Sequence, residues 1–178
     1  MLNQLINVFW TIASFAAVGY YWGLYFAERK SPYILIAFVA LSVLGSMLPR
    51  KWLSALTLSN DRRTYERLGV TFILWFVQNG TFVKRIEAKF GRNVSIVNNQ
   101  KKARAYLGTI NVQERYHYCC LVFFILSSIS ALLSGKIALA LLITLSNIIY
   151  NIYPILLQQY NRLRIHSMLS RQRTPATY

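Results

Sequence analysis

The chain has 178 residues, 55% of them hydrophobic, and sets 20 basic side chains against 5 acidic ones for a net charge of +15. Its apolar residues fall in blocks and its mean hydropathy is positive, which excludes an ordinary soluble domain and points to a membrane protein. The basic excess then belongs to loops lying on anionic headgroups or holding phosphorylated substrates, and not to a nucleic-acid interface.

A bilayer core takes about 20 apolar residues in a helix. Leu5 to Ala27 meets that length, and Tyr20, Tyr21, Trp22 and Tyr25 stand at its far end as an interfacial aromatic belt would. It has no basic leader and no small-residue cleavage site, so it is expected to be retained as a helix. Tyr33 to Leu48 is shorter and bracketed by Pro32 and Pro49; the tight link Glu28–Pro32 makes residues 1–48 a first helical hairpin. Residues 49–117 form a basic segment. Within it Tyr65-Glu66-Arg67-Leu68-Gly69 leads into VTFILWFV, too short to span, so Gly69 to Val77 is predicted to be an interfacial or re-entrant helix. Lys84, Arg85, Lys89, the turn Gly91-Arg92-Asn93, Lys101, Lys102 and Arg104 follow. Most suit surface anchoring, while Arg92 is a candidate for binding an anionic substrate such as the phosphates of a coenzyme A thioester. No P-loop or GxGxxG accompanies them. Tyr118 to Ser134 and Ile137 to Leu157, joined by Gly135-Lys136, form a second hairpin within residues 118–164, and residues 165–178 are a basic tail.

The expected fold is therefore one all-α integral membrane domain, with about four transmembrane helices in two hairpins plus the interfacial helix. Pro49 to His117 carries thirteen Lys or Arg and the chain after Tyr160 four, against two in the first link and one in the second. The positive-inside rule then places both termini and the middle segment in the cytoplasm of a multi-pass cell-membrane protein. Asn79-Gly-Thr81 and Asn93-Val-Ser95 match glycosylation sequons, which a cytoplasmic segment leaves without meaning. Cys119 and Cys120 are adjacent and poorly suited to an ordinary structural disulfide.

Two polar features carry the candidate chemistry. At about 100° per residue, Asn147, Asn151, Gln158 and Arg162 fall within about 60° on one face of the last helix. Pro154 interrupts the hydrogen-bond ladder between them and releases the Tyr150 carbonyl. Lipid exposure of that stripe would be costly, so it faces other helices or a wet cavity. Interhelical contact accounts for one amide better than for a continuous polar face. The second feature is Gln113-Glu114-Arg115-Tyr116-His117, where Glu114 and His117 share a face. A carboxylate beside an imidazole raises its basicity and sets its tautomer, as a general base requires; an interfacial charge cluster is the plainer account. Two histidines and five acids cannot build a pair of ExxH metal sites, so no metal is expected.

Together these features resemble the small integral-membrane acyltransferases of the glycosyl-diaponeurosporenoate type, which complete staphyloxanthin-like carotenoids. The resemblance lies in Tyr65-Glu66-Arg67-x-Gly69, in Glu114-x-x-His117, and in Asn151-Ile-Tyr-Pro154 followed by Gln158-Gln159-Tyr160-Asn161-Arg162-Leu163-Arg164. It spans roughly Tyr65 to Arg164, and departs from the family at Gln159, where arginine is more usual. It implies transfer of a fatty acyl group from an acyl-CoA or acyl-carrier thioester to a hydroxyl of a membrane-held glycolipid or glycosylated isoprenoid. No cofactor is implied beyond that donor substrate. His117 is then the candidate base and Glu114 its orienting carboxylate. Asn151, Gln158, Asn161, Arg162 and Arg164, with Glu66 and Arg92, are candidates for substrate binding at the cytoplasmic face. A non-catalytic lipid-binding or scaffold subunit is the alternative. A transporter ranks last, because few other polar residues sit at depth.

Overall fold

A computed structural model describes residues 2–47, 49–75 and 100–171. Among them there are helices and turns and no strand. Helix α1 is Leu2–Ala27 and α2 is Tyr33–Ser46; α3 (Arg50–Ala55), α4 (Arg62–Arg67) and α5 (Val70–Ile73) are short; α6 is Gln100–Leu133. Helix α7 (Ile137–Asn147) runs through a π-turn at Ile148–Ile152 into α8 (Tyr153–Arg171).

Three helical stretches, Gln4–Ala27, Lys101–Leu133 and Ile137–Ser170, are long and apolar enough to cross a membrane. Helix α2 is apolar but has 14 residues, about 21 Å of helix against a core of about 30 Å. Large apolar side chains face outward along all of these, among them Phe9 and Ile12 of α1, Leu44 of α2, Leu132 of α6 and Leu141 of α7. A surface of that kind is stable against lipid and not against water.

Helix α6 is the hub. It lies antiparallel to α7 and α8, while α2 packs on α6 and α1 packs on α7 and the π-turn. The first two helices are thus wedged against the second pair more than against each other. Their shared core joins Val18, Tyr21 and Trp22 to Phe124 and Ile143, with Ala131 and Ala140 allowing close approach of α6 and α7. Tyr21, Trp22 and Tyr25 are therefore core residues, and of the four aromatics expected at the headgroup level only Tyr20 is exposed. Core and belt aromatics look alike in sequence because both need an apolar body and a satisfied polar tip. Here the tips bond inward: the Tyr21 hydroxyl meets Ser130 Oγ at 2.6 Å, and Trp22 Nε1 donates to Ser127 Oγ at 3.1 Å.

The two tight links lie at one end of the bundle. Lys136 Nζ and Lys30 Nζ meet the two oxygens of Glu28 at 2.5 and 2.7 Å. Hydrogen bonds from Lys136, then Lys30, hold the Glu28 carboxyl down to about 2. Any stability from this clamp is present above the ordinary carboxylate range and lost only as pH falls through about 2; its exposure makes it small. The turn between α6 and α7 closes by a Schellman pattern, Lys136 N–H to the Ala131 carbonyl at 2.9 Å, around Gly135 at φ +74°. Gly135→Ala meets open space but a strained backbone. It is expected to cost about 1–2 kcal/mol, read as a lower thermal midpoint in detergent.

At the other end, α4 begins at Asp61, whose Oδ1 accepts from Arg63 N–H at 3.0 Å. Gly69, at φ +77°, turns the chain into α5. Tyr65 and Val70 pack on Leu157 and Tyr160 of α8. Of the expected interfacial helix the described residues show one turn, Val70–Ile73, with its Phe72 exposed; Phe76 and Val77, and the basic residues from Lys84 to Arg92, lie outside the described residues.

Candidate active site

The polar residues meet along the seam between α6 and α8. Pro154 has no N–H to close the α-helical ladder, and its ring crowds the carbonyl four residues back. The chain answers with a π-turn, in which Tyr153 N–H reaches the Ile148 carbonyl five residues away. A π-turn inserts one residue and shifts the phase of everything beyond it. Asn147 and Asn151 precede or occupy that insertion, and Gln158, Gln159 and Arg162 follow it.

On the near side a chain of amides runs to the histidine. Asn147 Nδ2 donates to the Leu121 carbonyl at 3.3 Å, Asn151 Nδ2 donates to Asn147 Oδ1 at 2.8 Å, and Asn151 Oδ1 faces His117 Nδ1 at 3.4 Å. The direction of this chain is forced. A backbone carbonyl only accepts, so Asn147 must turn its NH₂ toward Leu121, which turns its oxygen to Asn151, which turns its own oxygen to the imidazole. His117 Nδ1 then carries the proton and Nε2 keeps its lone pair. Asn147 and Asn151 are buried and His117 is half-buried. The rings of Tyr116 and Tyr150 stand edge-on to the imidazole, and their hydroxyls meet at 3.1 Å.

One turn away, the Glu114 carboxylate pairs with Arg162 through Oε2. Glu114 is 2% exposed, and the guanidinium is what makes its ionised form tolerable there. Beside the pair, Gln158 Nε2 donates to Gln113 Oε1 at 2.9 Å. Among the described residues, Glu114 Oε1 and Gln158 Oε1 are buried without a hydrogen-bond partner.

The family described as glycosyl-4,4'-diaponeurosporenoate acyltransferase matches residues 49–171, more than two thirds of the chain. The chain belongs to this acyltransferase family. No curated protein and no solved structure matches it.

The seam departs from the expected pairing of Glu114 with His117. The carboxylate turns across the helix interface to Arg162, and the imidazole is held by Asn151. Asn151 meets His117, Arg162 pairs with Glu114, and Gln158 bonds Gln113, the neighbour of Glu114 in the chain. Asn161 is half-buried on the next position round. Arg164 is exposed, with its guanidinium 5.8 Å from the centre of the Tyr160 ring, and Arg62 covers the same ring at 5.4 Å. Glu66 is exposed and accepts from the Tyr160 hydroxyl at 3.2 Å, with Arg62 at 3.6 Å. It thus lies on the outer side of the seam. Arg92 lies outside the described residues. Among those residues no cluster of His, Cys, Asp and Glu could hold a metal ion.

Gln159 is the residue that sequence periodicity misses. A regular helix turns it about 120° from Asn147, but the π-turn brings it inward, to 2% exposure. Its Oε1 accepts from Leu58 N–H at 3.1 Å and the Tyr65 hydroxyl at 3.0 Å; its Nε2 donates to the Leu56 carbonyl at 3.3 Å. Gln159 therefore straps the segment before α4 onto α8, and Tyr65 of the first motif completes the strap, its one hydroxyl proton shared between Gln159 Oε1 and the Ser59 carbonyl at 2.8 Å. Gln159→Leu is expected to speed hydrogen exchange at Leu58 and its neighbours while leaving α7 unchanged.

Proposed function

We propose that this protein transfers a fatty acyl group from a thioester donor to a hydroxyl of a glycosylated, membrane-held acceptor, at the seam between α6 and α8. The observation that carries the reading is the directional chain from the Leu121 carbonyl through Asn147 and Asn151 to His117, which favours the proton on Nδ1 and Nε2 as the acceptor.

A thioester is already activated, so the reaction needs a base, oxyanion stabilisation and an apolar slot. His117 Nε2 takes the hydroxyl proton as the oxygen attacks the thioester carbonyl. Arg162 has guanidinium N–H groups beyond the one on Glu114, and these stabilise the oxyanion. The C–S bond then breaks, and the imidazolium returns its proton to the departing thiolate. The product is an O-acyl ester and a free thiol. The apolar walls of the bundle take the acyl chain. The excess of Lys and Arg in residues 49–117 supports a cytoplasmic position for this end of the bundle, where acyl-CoA or an acyl carrier is available. It equally supports a topology in which α2 joins the three longer helices in crossing, tilted little or thinning the bilayer locally.

Purified protein reconstituted in liposomes with octadecyl β-D-glucoside and palmitoyl-CoA tests the reading. The expected product is the palmitoyl ester of the glucoside, identified by mass spectrometry. Intact palmitoyl-CoA with no ester would overturn it.

A further inference from the structure

Among the described residues, two acceptor oxygens at the seam have no donor. Glu114 Oε1 and Gln158 Oε1 are both buried, on side chains 2% and 8% exposed, and no described group reaches either. A buried acceptor left unpaired is costly, by about 1–3 kcal/mol and more for a charged group. Both side chains have their other ends committed, Glu114 Oε2 to Arg162 and Gln158 Nε2 to Gln113, so neither can turn to seek a partner. The two open positions accept only. They call for O–H or N–H donors and refuse an apolar chain, a phosphate or a thioester carbonyl.

We infer that Glu114 Oε1 and Gln158 Oε1 form the hydroxyl-recognition subsite that seats the sugar of the acceptor, by taking hydrogen bonds from two of its hydroxyls. The inference rests on the acyl-transfer reading and names the part of the site that selects the acceptor. Glu114 is a binding group here and not the base. Its charge is neutralised by Arg162, which favours the ionised, weakly basic carboxylate and a charge-assisted bond to a hydroxyl. Glu114 and His117 lie three residues apart on one face of α6, about 5–6 Å between side-chain roots. A pyranose spans a comparable distance, so a ring held at Glu114 and Gln158 presents a further hydroxyl to His117 Nε2.

The test separates hydroxyl donors from the rest of the glycoside. The full chain in phosphatidylcholine nanodiscs is titrated with octyl β-D-glucoside and with its tetra-O-methyl analogue, which keeps every oxygen and loses every donor. Binding is followed by saturation-transfer NMR on the sugar protons. The glucoside should bind saturably and the methylated analogue at least about 10-fold more weakly. Gln158→Leu should weaken the glucoside by about 3- to 10-fold and leave the analogue unchanged. Equal binding of the two ligands, no saturable glucoside binding, or glucoside binding indifferent to Gln158→Leu would each overturn the subsite. Saturable, donor-dependent binding in a protein that forms no ester would sustain the subsite and remove the acyl-transfer reading.

Discussion

His117→Ala is expected to lower the rate of ester formation by about 100- to 10,000-fold, the usual cost of deleting a general base, with insertion and purification unchanged. The side chain is half-buried and its hydrogen bond with Asn151 is long, at 3.4 Å, so its structural contribution is small beside its chemical one. Asn151→Leu should lower the rate less, since it removes the acceptor that keeps the proton on Nδ1 but leaves the base in place. His166 is exposed and away from the seam, and His166→Ala should retain full activity. Initial rates with saturating palmitoyl-CoA and octadecyl glucoside check all three. Full activity in His117→Ala would return Glu114 and His117 to an interfacial charge cluster and place the base elsewhere.

Arg162→Met is expected to be the most damaging single change to stability. It strands the Glu114 carboxylate, whose side chain is 3% exposed, without its counter-ion. Breaking a buried pair from one side costs about 3–5 kcal/mol, and should appear as a large fall in the thermal midpoint in detergent. Arg162→Lys keeps the charge but not the planar fork, and should fall between. Glu114→Gln combined with Arg162→Met should recover most of the loss, because no charge is then left unpaired. A double variant no more stable than Arg162→Met alone would show that packing, not charge, holds the seam. Both variants should still lose activity, which separates the stability of the pair from its work on substrate.

The polar stripe was legible because a helix repeats every 3.6 residues and lipid punishes polar exposure, so Asn151, Gln158 and Arg162 had to face inward. The partner of Glu114 was not legible. ExxH spacing identifies neighbours on one helix, whereas Arg162 comes from another, 48 residues on. Gln159 was hidden by the same proline that drew notice: Pro154 announces a break in the ladder without saying that a π-turn will advance the phase. The burial of Tyr21, Trp22 and Tyr25 was missed for a different reason, since their serine partners lie more than a hundred residues away on α6 for the first two. Long apolar helices were visible from composition alone. How α1 and α2 would wedge against α6 and α7 depended on small residues such as Ala131 and Ala140, which carry little signal singly.

Direct transfer from thioester to sugar hydroxyl can be followed in one time course. Reconstituted protein is given palmitoyl-CoA alone, and free CoA is recorded before and after octadecyl glucoside is added. Release should be negligible until the acceptor arrives and should then match ester formation mole for mole, because a base-assisted attack needs no acyl-enzyme. A stoichiometric burst of CoA before the glucoside, with palmitate recovered on Cys119 or Cys120, or CoA release with no ester at all, would contradict it.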